Sequence, residues 1–168
     1  MDQCAECGFS YDLTIATQAG QQISDGVARL AELITTPGIG DLPRPSPDVW
    51  SPLEYACHVR DVLLVQRERV LLARRTQCPR LENMGRDERV EHEGYAEQRG
   101  SDVARQLQDA ALLFTNVLSR LGDDDWDRTV IYGFPNSAER SLRWVAVHTL
   151  HEVRHHILDV ERQASNGQ

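Results

Sequence analysis

The sequence predicts an all-α protein, a four-helix bundle with a short irregular N-terminal arm, and three observations lead there. Four long segments repeat apolar residues at the i, i+3, i+4 spacing of an amphipathic helix. Residues that start or stop helices flank them. No intervening stretch is long enough, or alternates regularly enough, to build a sheet of its own. The 168 residues suit one domain, divided here into an arm over 1–15 and a bundle over 16–168.

The arm carries Cys4-x-x-Cys7-Gly8-Phe9 and has no helical period. A first helix is expected over 16–36, from the stripe Ile23, Val27, Leu30, Ala31 and Ile34, ending before Pro37-Gly38. The stretch 37–47 holds four of the seven prolines and is read as a surface connection. Ser51-Pro52-Leu53-Glu54 is a capping box with proline at the first helical position. A second helix therefore starts there and runs to about Arg75, before Cys78-Pro79. Residues 80–99 are charged and contain few core candidates, which predicts a long loop bordering the functional site. Ser101 or Asp102 caps a third helix, whose stripe from Val103 through Leu107, Ala111, Phe114 and Leu118 ends at Gly122. Residues 129–136 read as an extended connection. The fourth helix spans about 141–163, with Trp144, Val147, His151, His155 and Leu158 on one face.

Composition narrows the function. A net charge of −8 repels phosphate backbones and anionic lipid, so nucleic acid and membrane are not expected partners. No run reaches the length of a membrane span and no basic-then-apolar leader opens the chain, giving a cytoplasmic expectation. All 18 basic side chains are Arg, which leaves no lysine for amine chemistry. Four cysteines, unevenly spaced, suit thiol or metal chemistry better than a disulfide framework. Apolar helix faces leave room for a homodimer.

Of six histidines, four fall within nine residues: His148, His151, His155 and His156. His151 and His155 lie four apart, on one helix face and close enough to share a metal. His156 is rotated about 100° from His155 and is expected to point elsewhere. His58 shares an inward stripe with Tyr55, Val62 and Val65 on the second helix. Three desolvated imidazoles need polar partners, and one divalent cation held by His58, His151 and His155 satisfies all three while leaving a position for water or substrate. His151-Glu152-Val153-Arg154-His155 also matches H-E-x-x-H, but no downstream ligand follows, which argues against a protease. Glu54 and Glu152 are weak candidates for a catalytic base or for orienting a ligand. Cys57, next to His58, reads as a small buried hydrophobe. Cys4 and Cys7 read as inert, as a redox pair, or as half of a second metal site completed by His92, Cys78 or a second chain.

Trp50 to Val59, containing Ser51-Pro52-Leu53-Glu54 and His58, together with His151-Glu152-Val153-Arg154-His155-His156, resembles the DinB-like superfamily over roughly 20–163. That superfamily includes thiol-dependent S-transferases and the metal domain of mycothiol-dependent maleylpyruvate isomerase. The Cys-x-x-Cys-Gly-Phe arm and the loop 84–89 resemble an actinobacterial branch of it. The resemblance implies up-down-down-up topology and a divalent metal, zinc or else nickel, on one histidine of the second helix and an H-x-x-x-H pair of the fourth, matching His58, His151 and His155. It implies a low-molecular-weight thiol such as mycothiol, bound as thiolate and transferred to a small electrophile or isomerised within an adduct. Arg143, or an arginine of 86–89, is the expected contact for the thiol's polar groups. The alternative is a non-catalytic metal-binding module in a stress response.

Overall fold

A computed structural model describes residues 3–133 and 137–166, with no account of the Asn166 side chain. Four long helices form the body: α1 (Ala19–Thr35), α2 (Pro52–Arg75), α4 (Gly100–Leu118) and α6 (Leu142–Asn166). Two short helices, α3 (Arg86–His92) and α5 (Asp123–Trp126), and a hairpin of β1 (Thr129–Tyr132) and β2 (Ala138–Ser141) lie in the connections. None of the described helices is long and apolar enough to cross a membrane.

Both α1 and α2 pack against α4 and α6, so α1 and α2 occupy one diagonal of the bundle and α4 and α6 the other. Side-chain pairs set the directions. Gln22 meets Arg154 and Arg29 meets Glu161, so α1 and α6 run parallel. Gly20 faces Thr115 while Gly100 faces the Ile34 carbonyl, so α4 runs against α1. Tyr55 meets His156, whereas Tyr132, just before α6, bonds Gln66 of α2; α2 and α6 are therefore antiparallel. The order is up-down-down-up, as expected, and the diagonal step from α1 to α2 explains the long proline-rich connection.

Apolar stripes do the assembling. Ile23, Leu30, Leu63, Leu107, Phe114, Leu142 and Leu150 are fully buried at the centre, each contributing about 1.5–3 kcal/mol over exposure. The capping box forms as predicted: Ser51 Oγ accepts from Glu54 N at 3.3 Å, and Glu54 accepts from Ser51 N at 2.8 Å. Gly40 is required, because a Cβ there would fall 1.9 Å from the Ile34 carbonyl oxygen.

Two connections differ from expectation. Within 80–99 the chain forms α3 and a 3₁₀ turn, Tyr95–Glu97, rather than open loop. Local pattern is weak there, but a buried ion cluster holds the segment onto α2: Asp61 accepts from Arg60 Nε at 2.8 Å and from Tyr95 Oη at 2.5 Å, with Arg89 at 3.4 Å. Burial opposes the charge on Asp61, yet the Arg60 and Tyr95 hydrogen bonds and the two guanidinium charges hold its carboxyl below the usual range. Residues 129–136, expected as an extended connection without a sheet, are extended over Thr129–Tyr132 but pair there as β1 of the hairpin; Phe134, Pro135 and Asn136 lie outside the described residues. Two four-residue strands alone are marginal. Here Pro79 and Leu81 add backbone bonds to Ile131, and Tyr132 and Val130 sink into the core.

The arm turns at Gly8, whose φ of +71° suits a residue without a Cβ. Cys4 N donates to Phe9 O and Gly8 N to Cys4 O, both at 2.9 Å. Phe9 and Tyr11 then lie along α6 beside Trp144, His148 and His151. A 3₁₀ turn, Leu13–Gln18, capped by Asp12, leads into α1.

Candidate metal centre

Facing α2, α6 presents Glu152 and His156, one turn apart, opposite His58. His58 Nε2 lies 3.8 Å and His156 Nε2 3.9 Å from the same carboxylate oxygen, Glu152 Oε2, and the two rings meet edge to face at 5.0 Å. The far nitrogen of His156, Nδ1, lies 2.9 Å from Asp159 Oδ2. A carboxylate there holds the proton on Nδ1 and turns the Nε2 lone pair toward Glu152 and His58. Trp50 packs on His58 at 5.2 Å, Tyr55 stacks on His156 at 5.1 Å, and the Arg86 guanidinium covers Trp50 at 5.4 Å.

The electrostatics suit a cation. Burial opposes ionising Glu152, but His151 Nδ1 at 3.3 Å, His58 Nε2 at 3.8 Å and the neighbouring imidazoles hold its carboxyl well below the usual range. Burial pushes His58 down, and pulls His148 to about 4. Near neutral pH, His58 is thus an uncharged imidazole beside an ionised carboxylate, and with His156 the donors form a His₂Glu set of the kind that binds divalent metal with an open position.

The other face of α6 meets the arm. One ligand atom each from Cys4, Cys7, His151 and His155 lies within 4.8 Å of the others. Cys4 Sγ is 3.8 Å from His155 Nδ1. Burial works against ionising Cys4, but backbone N–H groups of Cys7 and Glu6, with His151, bring its thiol down to about 6. His151 Nε2 is buried without a hydrogen-bond partner, while its Nδ1 lies 3.0 Å from Tyr11 Oη and 3.3 Å from Glu152 Oε1.

The sequence-predicted trio is therefore divided: among the described residues, His58 groups with Glu152 and His156, and His151 and His155 group with Cys4 and Cys7. His156 does not point elsewhere. The helix period puts both pairs, 151/155 and 152/156, one turn apart, and only packing decides which faces α2. The H-E-x-x-H residues are accordingly shared between these two clusters, and His148, His151 and Glu152, like His155, His156 and Asp159, form further groups that overlap them. Glu54 lies outside both, 2 % exposed, bonded to Ser51 and to Arg44 at 2.5 Å. Arg143 pairs with Asp127 at 2.9 Å and lies over Trp126, about 20 Å along the helix from His156 at ~1.5 Å per residue. Arg86 is the arginine near His58. Cys57 is buried, its thiol pushed up to about 12, as suits an inert residue. His92 is exposed, and neither it nor Cys78 joins Cys4 and Cys7. Sequence reasoning missed His156, Asp159 and Tyr11; the i, i+4 spacing of Glu152 and His156 was the available signal.

A groove of about 980 Å³, broadly open to solvent, lies between α2, the 89–99 segment and α4, away from these clusters.

Comparison with known proteins agrees with this architecture. The fold is similar to that of YfiT from Bacillus subtilis, described as a probable metal-dependent hydrolase with an unusual four-helix bundle topology. The TM-score is 0.74 at 17% sequence identity, over 89% of this chain and 87% of that one. No curated protein matches the sequence. The sequence profile of the DinB superfamily matches residues 25–160, reaching into all four long helices and including His58, Glu152 and His156. On that match the chain belongs to the DinB superfamily.

Proposed function

We propose that this protein is a divalent-metal-dependent enzyme, with zinc the expected ion, that activates a low-molecular-weight thiol such as mycothiol and transfers it to a small electrophile. The observation that carries the reading is the convergence of His58 Nε2, His156 Nε2 and Glu152 Oε2, backed by Asp159. This ligand set keeps His58 from the sequence-based expectation and takes Glu152 and His156 in place of His151 and His155.

When bound, a divalent cation there stabilises thiolate over thiol, raising the fraction of nucleophile at neutral pH. The chain's own residues do the rest. Asp159 fixes the tautomer and direction of His156, and the His151 contact fixes the second oxygen of Glu152. Glu152 Oε2, flanked by His58 Nε2 at 3.8 Å and His156 Nε2 at 3.9 Å, is placed to ligate the same ion as the two imidazoles. Trp50 and Tyr55 exclude water from the back of both imidazoles. Arg86, more than half exposed above Trp50 and paired at 3.0 Å with the still more exposed Asp87, is the nearby cation that could exchange this partner for carboxylate or hydroxyl groups of the thiol.

Hydrolysis is the second reading, favoured by the His₂Glu donor set, which also suits a bound water, and by the likeness to YfiT. Turnover assays on metal-loaded protein separate the two. Thiol transfer requires product formation that depends on mycothiol and on His58 and His156. Ester or amide cleavage without thiol supports hydrolysis. Metal bound with neither activity supports a non-catalytic module.

A further inference from the structure

The family match begins at residue 25, so the arm and its cysteine pair lie outside it. The arm nevertheless meets α6 with a complete set of four soft and borderline donors. We propose that Cys4, Cys7, His151 and His155 form a second, closed metal site that takes zinc and fastens the arm to α6.

The geometry supports this point by point. Zn–S near 2.3 Å and Zn–N near 2.0 Å put sulfur and nitrogen about 3.5 Å apart in a tetrahedron. Cys4 Sγ and His155 Nδ1 stand at 3.8 Å, and all four donor atoms lie within 4.8 Å of one another. The turn at Gly8 folds Cys7 back toward Cys4, with the Cys4 and Phe9 backbones bonded across it. His151 Nε2, buried and unpartnered, is one of the few such atoms among the described residues, and a ligand to it removes the cost of that orphan.

Both imidazoles also have their far nitrogens anchored. His151 Nδ1 faces Tyr11 Oη and Glu152, and His155 Nε2 faces Glu6 at 3.3 Å and Asp159 at 3.6 Å. Such outer partners orient metal-bound histidines and fix their tautomers. Four protein ligands leave no open position, so this site is structural where the His58 centre is open. The two are joined through Glu152, whose Oε1 meets His151 and whose Oε2 meets His58 and His156.

Cobalt substitution of the full chain tests the proposal, because only the Cys4/Cys7 site gives thiolate-to-cobalt charge-transfer absorption. Wild-type protein is expected to bind a second equivalent carrying that band. Cys4→Ser/Cys7→Ser loses the band and one equivalent, and His58→Ala loses the other equivalent and keeps the band. If the double variant fails to fold, X-ray absorption on zinc-loaded His58→Ala decides, with two sulfur and two nitrogen ligands expected. A wild-type spectrum without the band, a band lost in His58→Ala, or a Cys4–Cys7 disulfide in protein purified under reducing conditions overturns the proposal. Failure of the His58 centre alone leaves the band intact, so the two readings fail separately.

Discussion

Asp159→Ala removes the group that orients His156 without touching a proposed ligand. Asp159 Oδ2 lies 2.9 Å from His156 Nδ1, within hydrogen-bond range, but 3.6 Å from His155 Nε2, which also has Glu6 at 3.3 Å. The loss should therefore fall mainly on the His58/Glu152/His156 centre. Deleting an outer carboxylate of this kind costs about 10–100-fold in metal affinity, or about 1.4–2.8 kcal/mol at ~1.4 kcal/mol per decade. In the metal-free protein the deletion removes the His156 hydrogen bond, worth about 1–2 kcal/mol net, and two weaker contacts, to Arg162 at 3.5 Å and His155 at 3.6 Å, so the stability loss should be modest. Asp159→Asn keeps an oxygen acceptor and should lose less affinity than the alanine variant. The assay is competition against a chelator at fixed pH, with melting of the metal-free proteins as control. Affinity within about twofold of wild type for Asp159→Ala would mean that the 2.9 Å carboxylate partner of His156 does not orient a metal ligand.

Three further outcomes follow from the same structure. Gly40→Ala should destabilise by about 1–3 kcal/mol or more, because the Ile34 carbonyl it meets at 1.9 Å is backbone and has no rotamer to change; denaturant midpoints measure this. Asp61→Asn should cost about 3 kcal/mol near neutral pH, the lower end for breaking a buried pair, since Arg60 keeps Gln98 and Gln106 as partners. Its pH dependence has a definite sign: the folded carboxyl titrates below its ordinary 3.8, so the stabilisation is present above that value and is lost as pH falls through the lower folded one. Melting series should therefore show wild type losing its advantage over Asp61→Asn in acid. Ser51→Ala should cost about 0.5–2 kcal/mol, with Glu54 still held by Arg44.

The four long helices were legible because their signals are local. The Ser51 capping box and the stripes of Ile23 to Ile34 and Val103 to Leu118 each specify an element without knowledge of its neighbours, whereas Gly122, expected to stop the third long helix, begins α5 after α4 has ended at Leu118. The ordered segment at 86–97 was not legible, because Asp61 and Tyr95, which fasten it, are 34 residues apart. The hairpin depends in the same way on Pro79 and Leu81. At the site, the sequence located a histidine cluster on α6 and a facing residue at His58, but a 3.6-residue period cannot say which of two adjacent stripes faces α2. The arm settles it physically: Phe9 and Tyr11 cover the His151 side, leaving Glu152 and His156 toward His58.

The central claim is that His58, Glu152 and His156 hold one ion. Anomalous scattering at a metal edge from crystals of the metal-loaded protein measures this directly. A peak within bonding distance of His58 Nε2, His156 Nε2 and Glu152 Oε2 is the expected result. A single ion shared by His58, His151 and His155, or no ion touching His58, contradicts the account.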